Sequence, residues 1–327
     1  MTLFSAISLT SYLPTRLHPA GLKLTLSQQK KPKIGSQSLL KPRFGQLKTT
    51  LTILIATSIS LLCEPVGALQ VQVKPENPRL GDTLSVVIET NTVGIEPTVS
   101  MEQKTYPSFA VGPNRYRALL PTTPLDQPRS LQLRVSGDGE VKNISVALQN
   151  RSFATQRIWL SESASQPATE LELSRVREFK KLITPQKFWN GKFVKPSSGR
   201  VSTVFGVRRY YNGVFANNYY HRGVDYAAGT GSPVVAPAAG RVALVGRVSE
   251  GFRVHGNTVG MDHGQGVTSI FLHLNTIEVK PGDFVQAGQR IGTVGSTGAS
   301  TGPHLHWGLY VHGVSVDPVP WRFQGLN

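Results

Sequence analysis

Two short segments place side chains that can bind a metal close together: one holds a histidine and an aspartate, and the other holds two histidines. His221 and Asp225 lie four residues apart, and the glycines around them favour a strand or an extended loop. Taken alone, such a pair is more often a set of polar loop residues. His304 and His306 flank Leu305 in an apolar segment, so on a strand both imidazoles project from one face. Two adjacent imidazoles are costly to bury without a metal or hydrogen-bond partners, so for this second pair a metal site and an ordinary polar pair are equally open.

A further histidine, His273, stands in the apolar run Phe271–Leu274, where the residues alone favour a hydrogen-bonded core histidine. Together these segments supply more groups than a catalytic zinc needs, because such an ion takes three protein ligands and keeps one position for water. The surplus imidazoles can serve as acid or base and stabilise charge. The remaining histidines of this region, His255, His263 and His312, have no partner at ligand spacing and are expected at the surface or in turns.

In this order, the segments resemble the lysostaphin/LytM-type peptidoglycan metalloendopeptidases. The matching pieces are HRGVDYAAGTGSPVVAP, MDHGQGVTSIFLHL and VKPGDFVQAGQRIGTVGSTGASTGPHLHWGLYVHGVSVDP. The resemblance implies that His221, Asp225 and His306 are zinc ligands and that His273 and His304 form the catalytic pair. It also implies that a zinc-activated water hydrolyses peptide cross-links of bacterial peptidoglycan, with no acyl-enzyme.

Three further features bear on this resemblance. Phe271 stands where many members have tyrosine, and Trp307-Gly308 stands where many have an aromatic residue and an acid. The Gly-rich run 295–302 contains no lysine and precedes no helix, which argues against a phosphate loop, and the resemblance makes it a tight loop that delivers His304. Members that have lost metal ligands activate other wall hydrolases, so a non-catalytic wall-binding activator is the alternative function, although every ligand position is filled here.

The sequence pattern around these residues predicts an all-β protein of two domains. Residues 187–327 are predicted to form the antiparallel β peptidase domain, with its last long strand over His304–Val311. Residues 69–160 alternate apolar and polar positions between turn signals, which predicts an immunoglobulin-like sandwich of about seven strands. Residues 161–186 are expected to be a linker, with a short helix over Glu170–Ile183 that bridges the domains.

Residues 1–68 have the composition of a targeting segment. Residues 51–62 form an apolar run behind basic residues, and Val66-Gly67-Ala68 supplies small residues for cleavage, so we expect a bacterial export signal and a protein in the periplasm or cell envelope. The unusually long, acid-free start leaves an organelle transit peptide or a mis-set start codon open. Cys63 is the only cysteine, so the mature chain is expected to form no disulfide. Leu62 before it argues against a lipoprotein.

The formal charge of +16 does not point to nucleic acid, because it is unevenly distributed. Residues 1–48 hold eight Lys or Arg and no acid, and the later basic residues are scattered rather than grouped with aromatic residues. A cell wall or another anionic polymer suits this surface, as does a merely soluble basic face, and the family resemblance implies that the partner is peptidoglycan. We expect a monomer that meets the membrane only through the uncleaved signal.

Overall fold

The computed structural model describes residues 69–91, 94–162 and 165–325, and these residues belong to one compact unit. The predicted export signal and Cys63 lie outside the described residues. No helix within the described ranges is both long and apolar enough to cross a membrane.

Alternating apolar positions in the first described region produce two four-stranded antiparallel sheets. The strands are β1 (Gln70–Lys74), β2 (Thr83–Glu89), β3 (Thr98–Met101), β4 (Lys104–Tyr106), β5 (Ser108–Gly112), β6 (Arg115–Pro121), β7 (Arg129–Gly137) and β8 (Glu140–Leu148). One sheet has the order β1-β2-β6-β5 and the other β4-β3-β7-β8. Inward residues such as Leu84, Val86, Leu133 and Val135 are almost wholly buried in one core.

This order is that of an immunoglobulin domain, in which strands A, B, E and D face strands C, F and G. The predicted sandwich is confirmed, and β4 is an additional strand at the edge beside β3. The expected count of seven strands is therefore one too few.

The second region is built on a larger antiparallel sheet. Its strands, together with one strand that precedes the linker, are β9 (Thr155–Ile158), β10 (Arg200–Thr203), β11 (Arg208–Tyr211), β12 (Val214–Phe215), β13 (Val224–Ala227), β14 (Pro233–Val235), β15 (Gly240–Gly246), β16 (Asn257–Gly264), β17 (Val267–Ile277), β18 (Phe284–Val285), β19 (Arg290–Val294), β20 (His304–Val311) and β21 (Val314–Val316). The main path runs β10-β13-β20-β17-β16-β15-β18, and β19 joins it through β17. The all-β class is confirmed, because the only α-helices described are the short α1 (Glu170–Lys180) and α2 (Val319–Phe323).

The strand β9 lies within the range predicted for the sandwich, yet it pairs in parallel with β11 of the second domain. Thr155 stands opposite Arg208 and Ile158 opposite Tyr211, which gives a small sheet of order β12-β11-β9. The last strand of the sandwich itself, β8, ends at Leu148. Alternation alone does not show which sheet a strand joins. The chain leaves the sandwich after β8 and joins a sheet of the second domain at β9, before the predicted linker begins.

Helix α1 packs on the peptidase sheet rather than bridging two separate domains, which differs from the prediction. Thr169 caps it, since its hydroxyl accepts a hydrogen bond from the backbone N of Glu172. Val176 and Phe179 are buried against a cluster that includes Ile270 and Tyr310. The helix ends at Lys180, three residues earlier than expected, and the carbonyl of Thr184 then accepts from the backbone N of Gln265 at 2.5 Å.

The two domains share a buried boundary. Arg117 of β6 is 1% exposed and donates to Oε1 of Gln265 at 2.8 Å. Arg151 pairs with the buried Asp317 at 2.7 Å, and the indole of Trp321 donates to the hydroxyl of Thr83. The sandwich is thus joined to the peptidase domain by polar contacts of buried and partly buried side chains.

Candidate metal centre and catalytic residues

The sheet brings His221, Asp225 and His306 together. Strand β13 pairs antiparallel with β20, and in this register Asp225 stands directly opposite His306. His221 precedes β13 and directs its ring to the same point, because its Nδ1 donates to the carbonyl of Val204 at 2.8 Å. The three side chains are buried.

Their facing atoms form a tight triangle. Oδ1 of Asp225 lies 2.9 Å from Nε2 of His221 and 2.8 Å from Nδ1 of His306, and these two nitrogens are 3.0 Å apart. Because Nδ1 of His221 donates to a carbonyl, its neutral ring presents an unprotonated Nε2 to the carboxylate. Two acceptor atoms, Nε2 of His221 and Oδ1 of Asp225, therefore face each other, and a cation bound between them would remove their repulsion.

The triangle has the size and chemistry of a zinc site. Ligand atoms of a tetrahedral zinc, with bonds of about 2.0–2.1 Å, lie about 3.3 Å apart, slightly farther than these three. Two imidazole nitrogens and one carboxylate oxygen form a usual catalytic donor set, and the carbonyl behind His221 fixes its tautomer. Among the described residues, this is the one His, Cys, Asp and Glu group whose atoms converge at metal-ligand spacing.

The protonation states also suit a cation. Burial lowers the pKa of His306 to about 4 and also lowers the pKa of His221, so both rings are neutral at pH 7. Burial by itself would raise the pKa of Asp225, but once acid protonates His221 and His306, their charges and hydrogen bonds favour the carboxylate and hold its pKa well below its ordinary range. At pH 7 the carboxylate of Asp225 is therefore ionised, while the neutral rings of His221 and His306 each keep a nitrogen lone pair.

His304 occupies the same face of β20 as His306, because Leu305 between them enters the core. Nδ1 of His304 donates to the carbonyl of Gly302 at 2.8 Å, and its Nε2 lies 3.9 Å from Oδ1 of Asp225. Gly302 belongs to the loop that closes on His304 through a bridge from Gly295, as predicted for this run.

His273 lies across the centre from His304, with ring centroids 4.9 Å apart. Its Nδ1 donates to the carbonyl of Thr297 at 2.8 Å, which leaves Nε2 unprotonated in the neutral ring. Burial, with smaller effects of His304 and His306, lowers the pKa of His273 to about 3. This imidazole is therefore neutral at pH 7.

The backbone of His273 has an unusual conformation. Its φ is +62°, in the left-handed region that non-glycine residues rarely occupy. The register of β17 against β16 shifts here, since Val259 stands opposite Phe271 but Asn257 stands opposite Leu274. This bulge changes the direction of the His273 side chain. Strained backbone conformations of this kind are frequent at functional sites.

Arg209 is a residue of this centre that sequence reasoning missed. It lies on β11, is 9% exposed, and its Nη2 donates to Oδ2 of Asp225 at 3.3 Å. Gln156 of β9 and the hydroxyl of Tyr211 accept from the same guanidinium. A period of two along Arg209–Tyr211 puts both side chains on one face, but no motif showed that this face meets Asp225.

One of the three histidines expected at the surface or in turns, His263, lies elsewhere, whereas His255 lies in a bend with part of its side chain exposed. His263 is wholly buried, because β16 continues to Gly264, and its ring contacts the carbonyl of Ala239 and the hydroxyl of Ser269. His255 contacts a buried carboxylate on α1. His312 does lie in a turn, where its ring stands 5.7 Å from that of Tyr106 in the sandwich.

The two departures from the family pattern face away from the centre. Phe271 and Trp307 are fully buried in the core of the peptidase domain. The indole of Trp307 donates to the hydroxyl of Ser269. Both residues therefore support the sheet and do not line the catalytic face.

The β domain gathers two histidines and a carboxylate, with two more imidazoles on the same side, an arrangement that suits metal-assisted hydrolysis. Residues 219–318 match the sequence model of peptidase family M23, so this segment is a peptidase M23 domain by sequence. Its kinship with the LytM-type enzymes is thereby confirmed.

The chain is similar to several characterised proteins. DD-carboxypeptidase/endopeptidase Mpg of Neisseria meningitidis is 40% identical over 120 residues, which cover 37% of this chain and 26% of that protein. Lysostaphin of Staphylococcus staphylolyticus is 40% identical over 110 residues, or 32% of this chain and 22% of lysostaphin. The chain thus spans about a quarter of the length of the curated relatives it matches.

A solved structure extends the likeness beyond the peptidase domain. The crystal structure of a putative peptidase M23 from Pseudomonas aeruginosa is 28% identical, with a TM-score of 0.56. The match covers 76% of this chain and 96% of that one. It therefore includes much more than the 219–318 segment.

Proposed function

We propose that this chain is a zinc metalloendopeptidase that hydrolyses peptide cross-links of bacterial peptidoglycan in the periplasm or cell envelope. The observation that carries the proposal is the convergence of the His221, Asp225 and His306 ligand atoms beside His273 and His304. Relatives named as a DD-endopeptidase and as lysostaphin support the substrate class. The predicted export signal supports the location.

His221, Asp225 and His306 would hold the zinc through Nε2, a carboxylate oxygen and Nδ1. When bound, zinc supplies Lewis-acid chemistry, which polarises a carbonyl and makes water a stronger acid. Asp225 keeps its orientation because Arg209 donates to its second oxygen. The carbonyl behind His221 keeps that ring in the tautomer that binds metal.

His273 and His304 would transfer protons through Nε2. In each ring Nδ1 donates to a backbone carbonyl, Thr297 for His273 and Gly302 for His304, so Nε2 carries the lone pair. Such a nitrogen can take a proton from attacking water and return it to the leaving amide nitrogen. After it has taken the proton, the imidazolium can also stabilise the negative charge that develops on the carbonyl oxygen.

The test is digestion of purified cross-linked peptidoglycan with the full chain loaded with zinc, followed by mass spectrometry of the fragments. We expect new peptide termini at the cross-links, loss of cleavage with a chelator, and recovery when zinc is restored. Retained binding to the polymer with no new termini, at one zinc per chain, would instead identify the wall-binding activator.

A further inference from the structure

A buried carboxylate on α1 organises a segment that the function proposed above does not use. Glu172 is fully buried and accepts from the backbone N of Arg253 at 2.9 Å, of Val254 at 3.0 Å and of His255 at 2.6 Å. Nδ1 of His255 contacts the same carboxylate at 2.5 Å. One side chain thus holds three successive residues that form no strand.

The ionised form of Glu172 suits this task. Burial would raise the pKa of Glu172, but the hydrogen bonds and charge of His255, with the backbone donors, bring it below its ordinary value. A carboxylate that accepts several N–H donors binds them about twice as strongly as a neutral acceptor does. The segment 253–255 is therefore fastened to helix α1.

The fastened segment contacts His273 directly. The carbonyl of His255 accepts from the backbone N of His273 at 3.0 Å, at the residue whose φ is +62°. Residue 273 lies in the bulge, where the register between β16 and β17 is shifted. A hydrogen bond from outside the ladder thus supports the strained backbone.

The same segment also supports the ring of His273 through Thr297. The backbone N of Asn257 donates to the hydroxyl of Thr297 at 2.9 Å, and the carbonyl of Thr297 accepts from Nδ1 of His273. Gly256 lies so close that a Cβ there would stand 2.4 Å from that carbonyl oxygen. Segment 253–257 therefore touches both the backbone and the partner of this imidazole.

We infer that Glu172 is a positioning residue, which sets the backbone and ring of His273 by holding segment 253–257 against α1. The expected effect on catalysis rests on the proposed function, whereas the expected effect on the backbone and ring of His273 does not. It makes α1, which precedes the 219–318 segment matched to the family, part of the catalytic apparatus.

The test compares Glu172→Gln with Glu170→Gln in the full zinc-loaded chain. Glu170 is an exposed acid two residues earlier on the same helix, and it serves as the matched control. The first readout is hydrogen exchange of the His273 amide, which does not depend on any substrate. We expect this amide to exchange at least about tenfold faster in Glu172→Gln and at the wild-type rate in Glu170→Gln.

The second readout is steady-state cleavage of a cross-linked muropeptide. For Glu172→Gln we expect kcat to fall about 10- to 100-fold with KM within about twofold, because misplacing a catalytic group by about 1 Å costs up to that factor. Zinc content should stay at the wild-type level, since the variant leaves His221, Asp225 and His306 in place. If Glu172 had a purely structural role, the variant would have a lower melting temperature, but kcat would not fall while KM stayed nearly constant.

A second variant covers the case in which Glu172→Gln does not fold. His255→Ala removes one contact to Glu172 but keeps the backbone donors and the carbonyl that accepts from His273. It should shift His273 exchange and kcat in the same direction by a smaller factor. Wild-type exchange at His273 in the folded variants overturns the inference. If exchange at His273 is faster in Glu172→Gln but the wild-type protein cleaves no peptidoglycan, the proposed function alone is overturned.

Discussion

Arg209 and Asp225 form a buried ion pair at the edge of the metal centre, with Nη2 of the arginine 3.3 Å from Oδ2 of the carboxylate. The other oxygen, Oδ1, faces His221 and His306. The two oxygens of one side chain therefore have separate partners. One is directed at the metal ligands, and the other is fixed by a cation that comes from a different sheet.

Replacing this cation should weaken metal binding. Arg209→Met keeps the apolar stem but leaves Oδ2 of Asp225 without its donor, and loss of such an outer partner commonly costs 10- to 100-fold in affinity. We expect the Kd for zinc, measured by competition with a chelating dye, to rise by about that factor. Arg208→Met, on the opposite face of β11, is the control and should bind zinc as the wild type does. Equal affinities in both variants would show that Arg209 does not support the ligand.

Removal of a ligand should abolish stoichiometric zinc. His306→Ala takes one of three donors from a site that lies on paired strands, so the sheet should remain folded while zinc falls well below one per chain. Elemental analysis and circular dichroism on one sample measure both quantities. Full zinc occupancy in the variant would show that the ligand set is different.

Removal of a proton-transfer group should leave zinc in place. His273→Ala keeps all three ligand residues, and we expect cleavage to slow by at least about 100-fold, the scale of losing one acid-base or oxyanion group. Zinc content, melting temperature and muropeptide release, measured on one sample, separate catalysis from packing. Near-normal release with zinc retained would exclude His273 from the mechanism.

The buried His263 should make the fold sensitive to acid. Burial lowers the pKa of its ring to about 4 in the folded chain, whereas an unfolded histidine titrates near 6.5. Between these values the unfolded state binds more protons, so the stability that the neutral ring contributes is lost as pH falls from about 6.5 to about 4. For this group the free energy of unfolding should drop by about 2 kcal/mol between pH 7 and pH 5.

Urea unfolding of the zinc-free chain at these two pH values measures that drop. In His263→Gln the decrease between pH 7 and pH 5 should be smaller, because one titrating group has been removed. The variant has a lower stability at pH 7, so only the difference between the two pH values is compared. An unchanged difference would show that His263 is not the source.

The domain boundary should be as important to stability as either core. Arg117→Ala removes a buried charged donor from Gln265 and a guanidinium 5.2 Å from the ring of Trp189. We expect a loss of about 2–3 kcal/mol in the free energy of unfolding, because the remaining acceptor is left in a dry environment. Arg115→Ala, on the same strand but in an exposed pair with Glu89, should cost less than about 0.5 kcal/mol. Similar losses in the two variants would contradict this assignment.

Some of this centre could be predicted from sequence, because part of it depends on local periodicity. The alternation of His304, Leu305 and His306 predicts which side chains share a face, and the strand begins and ends where the pattern does. The proximity of Asp225 to His306 depends on strand register across distant segments, so the residues alone did not give it, and the family resemblance did.

Other contacts arise only from tertiary structure. The left-handed φ of His273 comes from a bulge, and its sequence neighbours are ordinary strand residues. The sequence pattern predicts a strand over Thr258–Met261, but β16 continues three residues further to Gly264, so His263 lies in a strand and not in the expected turn. Helical spacing predicted that α1 exists, but it could not show that Glu172 would be buried against segment 253–255.

The parallel pairing of β9 with β11 has a consequence for synthesis on the ribosome. Translation completes the sandwich and then β9, whose backbone partner at Arg208–Tyr211 emerges only after the linker, α1 and β10. During that interval β9 is an unpaired edge strand, which is the kind of surface that recruits other chains. A released chain that ends just before Arg208 should therefore aggregate more readily than one that ends at Leu148, which contains all eight strands of the sandwich and lacks β9.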